Sequence, residues 1–171
     1  NLATEVFTRD CPWPTIRTQW LSRLERVVDI FLAGEARRQS MAIMSKTELS
    51  GEIPVGTTGV KLTCKADRID LTQTDTAIIY DYKTGSVPST KMQVIFDKQL
   101  LLEAAMVEMG AFEKLGPHAV DGASFVAVNT DMKDVAAPLD DHPAKQVWAD
   151  FTQLLEAYND KARGYSARMA M

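Results

Sequence analysis

Only two cysteines occur in the 171 residues, Cys11 and Cys64, and they form no C-x-x-C pair. Alone they cannot supply a four-thiolate zinc or iron–sulfur centre. No iron–sulfur cluster is therefore expected in this chain, and a reducing, cytoplasmic setting is the simpler one. Positive charge is not in excess either: 19 Lys and Arg against 23 Asp and Glu leave a net charge of -4. That balance counts against a protein that coats nucleic acid through bulk charge. It does not exclude a nuclease, whose acidic ligands a bound metal neutralises. Apolar runs are short or interrupted, as at Val27-Val28, at 30–33 and at 123–128. None approaches a bilayer span, so no membrane association is expected. Residues 1–10 lack the basic start and apolar core of a signal peptide, and the chain does not begin with Met. We expect a piece of a longer protein.

Apolar residues make up 46% and charged residues 25%, close to the average globular domain and unlike a disordered or fibrous chain. The length suits a single domain, residues 1–171, able to bury a core without disulfide or metal staples. After an irregular start containing Pro12 and Pro14, Trp20, Leu24, Val27, Val28 and Phe31 fall on one helical stripe. The spacing predicts an amphipathic helix over about 14–38, with Arg23, Glu25, Arg26 and Asp29 on its wet side. Extended patterns follow at 46–53, from Val60 to about Asp70, and at 77–83. They are separated by turns at 56–59 and 72–75 and predict a three-stranded antiparallel meander. A loop at 86–90 leads to a helix carrying Leu102, Ala105, Met106 and Met109 and stopped by Gly110. A short strand at 123–129 comes next. Asp140-Asp141 before Pro143 signals a closing helix striped by Trp148, Phe151, Leu154, Leu155 and Tyr158. The expected class is α+β, a small central sheet flanked by helices.

The chemistry concentrates between Cys64 and Lys83. Alternation along a strand puts Asp81 and Lys83 on one face and Tyr82 on the other. On the preceding strand it pairs Asp67 with Ile69 and turns Asp70 away. If Asp67 faces Asp81 across the hairpin, two carboxylates converge on one point. Such oxygen ligands suit Mg²⁺ or Mn²⁺. A bare Asp-x-Lys arises often by chance and is then a surface ion pair worth little. An unrelated small α+β domain stays open on that motif alone, so its surroundings must carry the reading.

The string Lys65-Ala66-Asp67-Arg68-Ile69-Asp70, a turn, Ile79-Tyr80-Asp81-Tyr82-Lys83-Thr84-Gly85, and then Gln99-Leu100 opening a helix resembles the RecB-like branch of the PD-(D/E)xK nucleases. Within it, the chain is most similar to the C-terminal nuclease domains of AddB-type subunits of the alphaproteobacterial kind. Trp20 with Arg23, Glu48 before Gly51, Leu102-Glu103-Ala104 after Gln99, and the segment 158–168 share that likeness. The resemblance implies an α/β/α, restriction-endonuclease-like fold with a mixed sheet. It implies Asp67 and Asp81 as metal ligands for Mg²⁺ or Mn²⁺, with the Tyr82 carbonyl adding a backbone oxygen. Lys83 would orient the attacking water and stabilise charge on the phosphate. Gln99 would support the site, and Glu103 stands where many relatives carry a tyrosine. Glu48 is a weaker acidic candidate, since its segment could equally be a solvated edge.

Two departures from the family pattern stand out. Cys64 replaces the glycine of a G-x-x-D slot, and no residue fits the histidine usually found on a helix upstream of the sheet. His118 and His142 follow the motif and are expected at the surface. The missing histidine is expected on an upstream helix outside this chain. The implied function is a Mg²⁺-dependent, exonuclease-type DNA nuclease, acting with an AddA-type helicase–nuclease partner in double-strand break repair and associated with the nucleoid. The alternative is a catalytically silent nuclease-fold module that holds DNA or supports the repair complex. The isolated 171 residues are expected to cut DNA weakly or not at all without the upstream segment.

Overall fold

The first departure from expectation comes at the amino terminus. Residues read as irregular form helix α1 (Leu2–Asp10), whose Phe7 ring packs edge-on against Trp20 with centroids 5.7 Å apart. The computed structural model describes residues 2–130 and 133–164. Pro12 and Pro14 interrupt only a short connection, because a proline in a helix's first turn forfeits no hydrogen bond. Helix α2 (Pro14–Met41) starts there and runs past residue 38 until Ala42 turns extended. Its stripe is half-buried at Leu24, Val27, Val28 and Phe31 but leaves Trp20 exposed, and its deepest residue is Arg38.

Strand β1 (Ala42–Pro54) follows without a loop, earlier than the expected residue 46, and β2 (Lys61–Thr72) and β3 (Ala77–Lys83) complete the meander. Gly56 and Gly59, at φ of 51° and 75°, make the first turn. Helices α3 (Thr90–Ile95) and α4 (Gln99–Glu108) form the crossover that a parallel neighbour requires. Strand β4 (Val120–Ala127) then pairs in parallel with β3. A short β5 (Asp134–Ala136) adds antiparallel to β4, giving a five-stranded mixed sheet in the order β1-β2-β3-β4-β5. Neither α3 nor β5 is legible in the sequence. Helix α3 spans 6 residues and β5 spans 3, too short for a periodicity to emerge. Gly110, at φ 73°, ends the helical run as expected.

Helix α5 (Ala144–Asn159) begins after Pro143, later than Asp140-Asp141 suggested. Its inward face is Ala144, Val147, Trp148, Phe151 and Leu155, whereas Leu154 and Tyr158 point to solvent. Residues 165–168 of the 158–168 segment lie outside the described residues. Ile69, Leu71, Ala77, Ile79, Ala123 and Phe125 of the sheet pack with Leu100, Leu101, Ala104 and Ala105 of α4, which α5 backs. The other sheet face meets α2: Phe31 lies edge-on to Tyr82 at 5.9 Å, and Arg38 lies 5.2 Å from the Tyr80 ring centroid. The result is an α+β, three-layer arrangement consistent with a restriction-endonuclease-like fold. Among the described residues no helix is long and apolar enough to cross a membrane.

Strand alternation breaks at one place. Leu62, Cys64 and Ala66 face inward, and then Ile69 and Leu71 do, so the phase slips between Ala66 and Ile69. On β1, Glu48 stands opposite this slip between the pairs Thr47↔Arg68 and Leu49↔Ala66, with φ 53°. Asp67 sits within the slip, where the carboxylate can reach the neighbouring backbone.

Candidate active site

Beyond the pair Arg68↔Tyr80 the ladder between β2 and β3 ends. Asp67 takes over there: its Oδ2 accepts the Tyr82 N–H at 2.9 Å. Asp81 and Lys83 occupy the end of β3 on the face covered by α4. Asp81 is buried, and its Oδ2 lies 2.8 Å from Lys83 Nζ. Among the described residues this oxygen has no partner besides the Lys83 ammonium. Lys83 keeps its stem over the Phe125 ring, with Nζ 5.1 Å from the centroid.

Gln99, at the first position of α4, connects these groups. Its Nε2 donates to Asp81 Oδ1 and, at 3.1 Å, to Glu103 Oε1, while its Oε1 accepts from Lys83 Nζ at 3.1 Å. Gln99 and Glu103 share one helix face because they are four residues apart. Glu103 is only 4% exposed, and among the described residues its Oε2 accepts no well-formed hydrogen bond. Burial pushes its carboxyl up, Gln99 and Cys64 pull it back, and the charges of Asp81 and Asp67 push it up again. Burial likewise raises the Cys64 thiol, with Glu103, Asp81 and Asp67 adding to the effect. Cys64, in place of the family's glycine, is therefore a neutral thiol at the edge of the acidic group.

The structure brings Asp67, Asp81, Lys83, Gln99 and Glu103 into one neighbourhood. It does not bring Glu48 there: that side chain is exposed and paired with Lys65. Tyr82 contributes from two sides, its N–H to Asp67 and its hydroxyl to Glu35 Oε1 at 2.9 Å across the sheet. Burial, then the Glu35 bond, push the hydroxyl up to about 12. His118 and His142 are half-buried rather than surface residues, and His118 lies at the carbonyls of Asp75 and Leu115.

Sequence reading missed the polar layer under Tyr82. Arg68 is buried between Asp70, bonded at 2.7 Å through two nitrogens, and Glu35. Arg38 bonds Glu35 at 2.8 Å and Asp134 at 2.9 Å. The two guanidiniums lie 5.2 and 5.7 Å from the Tyr80 ring centroid. The available signal was Glu35 and Arg38 at helical spacing, together with Arg-x-Asp inside the motif strand.

Among the described residues no three His, Cys, Asp or Glu side chains stand ready to hold a metal ion. Even so, the donor set is all hard oxygen apart from the neutral thiol. Asp81 Oδ2, met only by the Lys83 ammonium, and Glu103 Oε2 are buried oxygens of the kind that native proteins ordinarily satisfy with protein, water or an ion. These residues fit a Mg²⁺- or Mn²⁺-type cation rather than a thiophilic one.

A mixed sheet between helical layers, with acidic residues, a lysine and a glutamine gathered at one end of the central strand, defines a restriction-endonuclease-like domain. The chain belongs to the PD-(D/E)XK nuclease superfamily, whose family model matches residues 2–170. It is 27% identical over 96 residues to an uncharacterized protein of Rickettsia bellii and 28% identical over 98 residues to one of Rickettsia conorii. Those matches cover 54% and 56% of this chain but 12% of each relative. Members of the superfamily are typically nucleases and use divalent metals.

Proposed function

We propose that this chain is a divalent-metal-dependent DNA nuclease domain of the AddB type. In this reading it serves a helicase–nuclease complex in double-strand break repair, in the cytoplasm at the nucleoid, with an AddA-type partner. The observation that carries it is the convergence of Lys83, Gln99 and Asp81 beside Asp67 at the open end of the β2–β3 hairpin. A bound Mg²⁺ or Mn²⁺ would polarise the scissile phosphate and acidify a water. Asp67 and Asp81 would hold the cation, with the Tyr82 carbonyl as a backbone donor. Lys83 would orient the attacking water by hydrogen bonding and offset negative charge on the phosphate as it develops. Gln99, bonded to both Asp81 and Lys83, would hold the carboxylate and ammonium in register. The reaction is hydrolysis of a phosphodiester bond, exonucleolytic in the complex.

A second reading, a silent module that holds DNA, is favoured by the lack of a ready three-ligand arrangement among the described residues. The test is cleavage of end-labelled linear DNA in Mg²⁺ and in EDTA by the wild-type complex and by Asp81→Ala and Lys83→Ala, with unwinding followed in parallel. The nuclease reading expects both variants to lose the cut assigned to this subunit by about 100-fold or more, with unwinding intact. Undiminished cutting by Lys83→Ala overturns it. Wild-type unwinding with no such cut supports the silent module.

A further inference from the structure

Where β3 and β4 run out, on the α2 side of the sheet, lies a cleft of about 590 Å³ that no part of the reading above uses. One wall is α2, with Trp20, Arg23, Leu24 and Arg26. The other is made by Thr84, which follows Lys83 directly, and by Val128 with its neighbours. Val128 N–H donates to the Lys83 carbonyl at 2.8 Å, so the cleft rim is bonded to the strand end that carries the lysine. Trp20 is 45% exposed although its ring is steadied by Phe7. Arg23 and Arg26 are exposed, and among the described residues neither is ion-paired. Arg26 Nε donates to the Ser22 carbonyl at 3.1 Å within its own helix.

We propose that this cleft is a subsite for single-stranded DNA, in which an unpaired base stacks on Trp20 and Arg23 and Arg26 hold the flanking phosphates at the strand end that carries Lys83. The proposal rests on the nuclease reading and deepens it. In a chain of net charge -4, two unpaired guanidiniums one helical turn apart are the positive charge that a polyanion needs beside an acidic site. Leu24 and Val128 give the cleft an apolar lining that a base face can cover, whereas a duplex keeps its bases stacked inside. An aromatic ring between cationic side chains is the common solution for binding single strands without sequence preference. Arg offers the fork that matches phosphate oxygens.

The experiment is binding of a short fluorescein-labelled oligothymidylate in EDTA, read by anisotropy at several salt concentrations, with a blunt duplex as comparison. Trp20→Ala is expected to weaken oligothymidylate binding about tenfold or more, the usual scale of one lost stacking contact. Trp20→Phe should retain most of the affinity and keep the packing on Phe7. Arg23→Glu with Arg26→Glu should weaken binding and flatten the salt dependence by up to about two phosphate contacts. Unchanged affinity in the arginine double variant overturns the proposal, as does equal loss of duplex and oligothymidylate binding in Trp20→Ala. Lys83-dependent cutting in Mg²⁺ is scored separately. If cutting persists while Trp20→Ala and the arginine variant bind normally, only the subsite falls. If the variants lose binding but the wild type never cuts, the subsite stands and the nuclease reading falls.

Discussion

The carboxylate of Asp67 accepts the backbone N–H of Tyr82 at 2.9 Å. An acidic side chain of one strand is thus held by the peptide lying between the aspartate and lysine of the next. Geometry and charge can be separated at this position. Asp67→Asn keeps an oxygen for the Tyr82 N–H and should unfold within about 1 kcal/mol of wild type. Asp67→Ala should lose about 1.5–3 kcal/mol, the scale of a hydrogen bond to a charged group. Both should abolish metal-dependent cutting if the charge is what matters. Urea unfolding alongside cleavage assays measures the two effects, and full cutting by Asp67→Asn would remove Asp67 from the metal set.

Gln99 touches Asp81, Lys83 and Glu103 at once. Replacing it with Ala should lower cutting by about 10- to 100-fold, the usual cost of losing a group that orients metal ligands. Raising Mn²⁺ concentration should recover part of the loss. A Mn²⁺ titration of cleavage tests this, and an unchanged midpoint would show that Gln99 does not act through the metal ligands.

Glu103 carries a pH signature in the metal-free chain. Burial, then the nearby aspartates, raise its folded value above the unfolded one. The folded chain therefore keeps a proton that the unfolded chain has released, and stability falls as pH rises through that interval. Glu103→Gln removes this loss while keeping an oxygen for Gln99. In EDTA its Tm should exceed wild type at about pH 8, and the gain should vanish by about pH 3, below the ordinary glutamate range. Thermal unfolding by circular dichroism at both pH values decides it. A gain of equal size at both would mean that the proton is irrelevant.

Arg68 lies under Tyr80, between Asp70 and Glu35. Arg68→Ala leaves Asp70 without its cation and Glu35 with Arg38 alone, and should cost about 3–5 kcal/mol, as for other broken buried pairs. Arg68→Ala combined with Asp70→Ala should recover part of that. Denaturant midpoints for the single and double variants measure the coupling, and strictly additive losses would mean that the pair is not a unit.

The meander was legible because strands of period two separated by turn residues are a local signal. β3 occupies the expected 77–83 span. Asp67, Asp81, Lys83 and Gln99 were nominated by ordered motifs, and the structure gathers all four. Glu48 and Glu35 show why sequence alone could not choose among acids. Glu48 lies in a strand near the motif yet points to solvent, while Glu35, thirty-three positions before Arg68, pairs with it and with Tyr82. Nothing local distinguishes them, because the difference is made by which element covers each side chain.

By itself, then, the sequence determined the order of strands and main helices, the Asp-x-Lys pair and the likeness to a nuclease family. Each depends on residues a few positions apart or on an ordered set of motifs. Only the tertiary structure decided the phase slip at Asp67, the orientation of Gln99 toward Asp81 and Lys83, the buried arginine layer behind Tyr82, and the cleft between Trp20 and Val128. Each of these depends on contacts between segments far apart in the chain. A charged side chain such as Arg38 can be buried only where the fold supplies partners like Glu35 and Asp134.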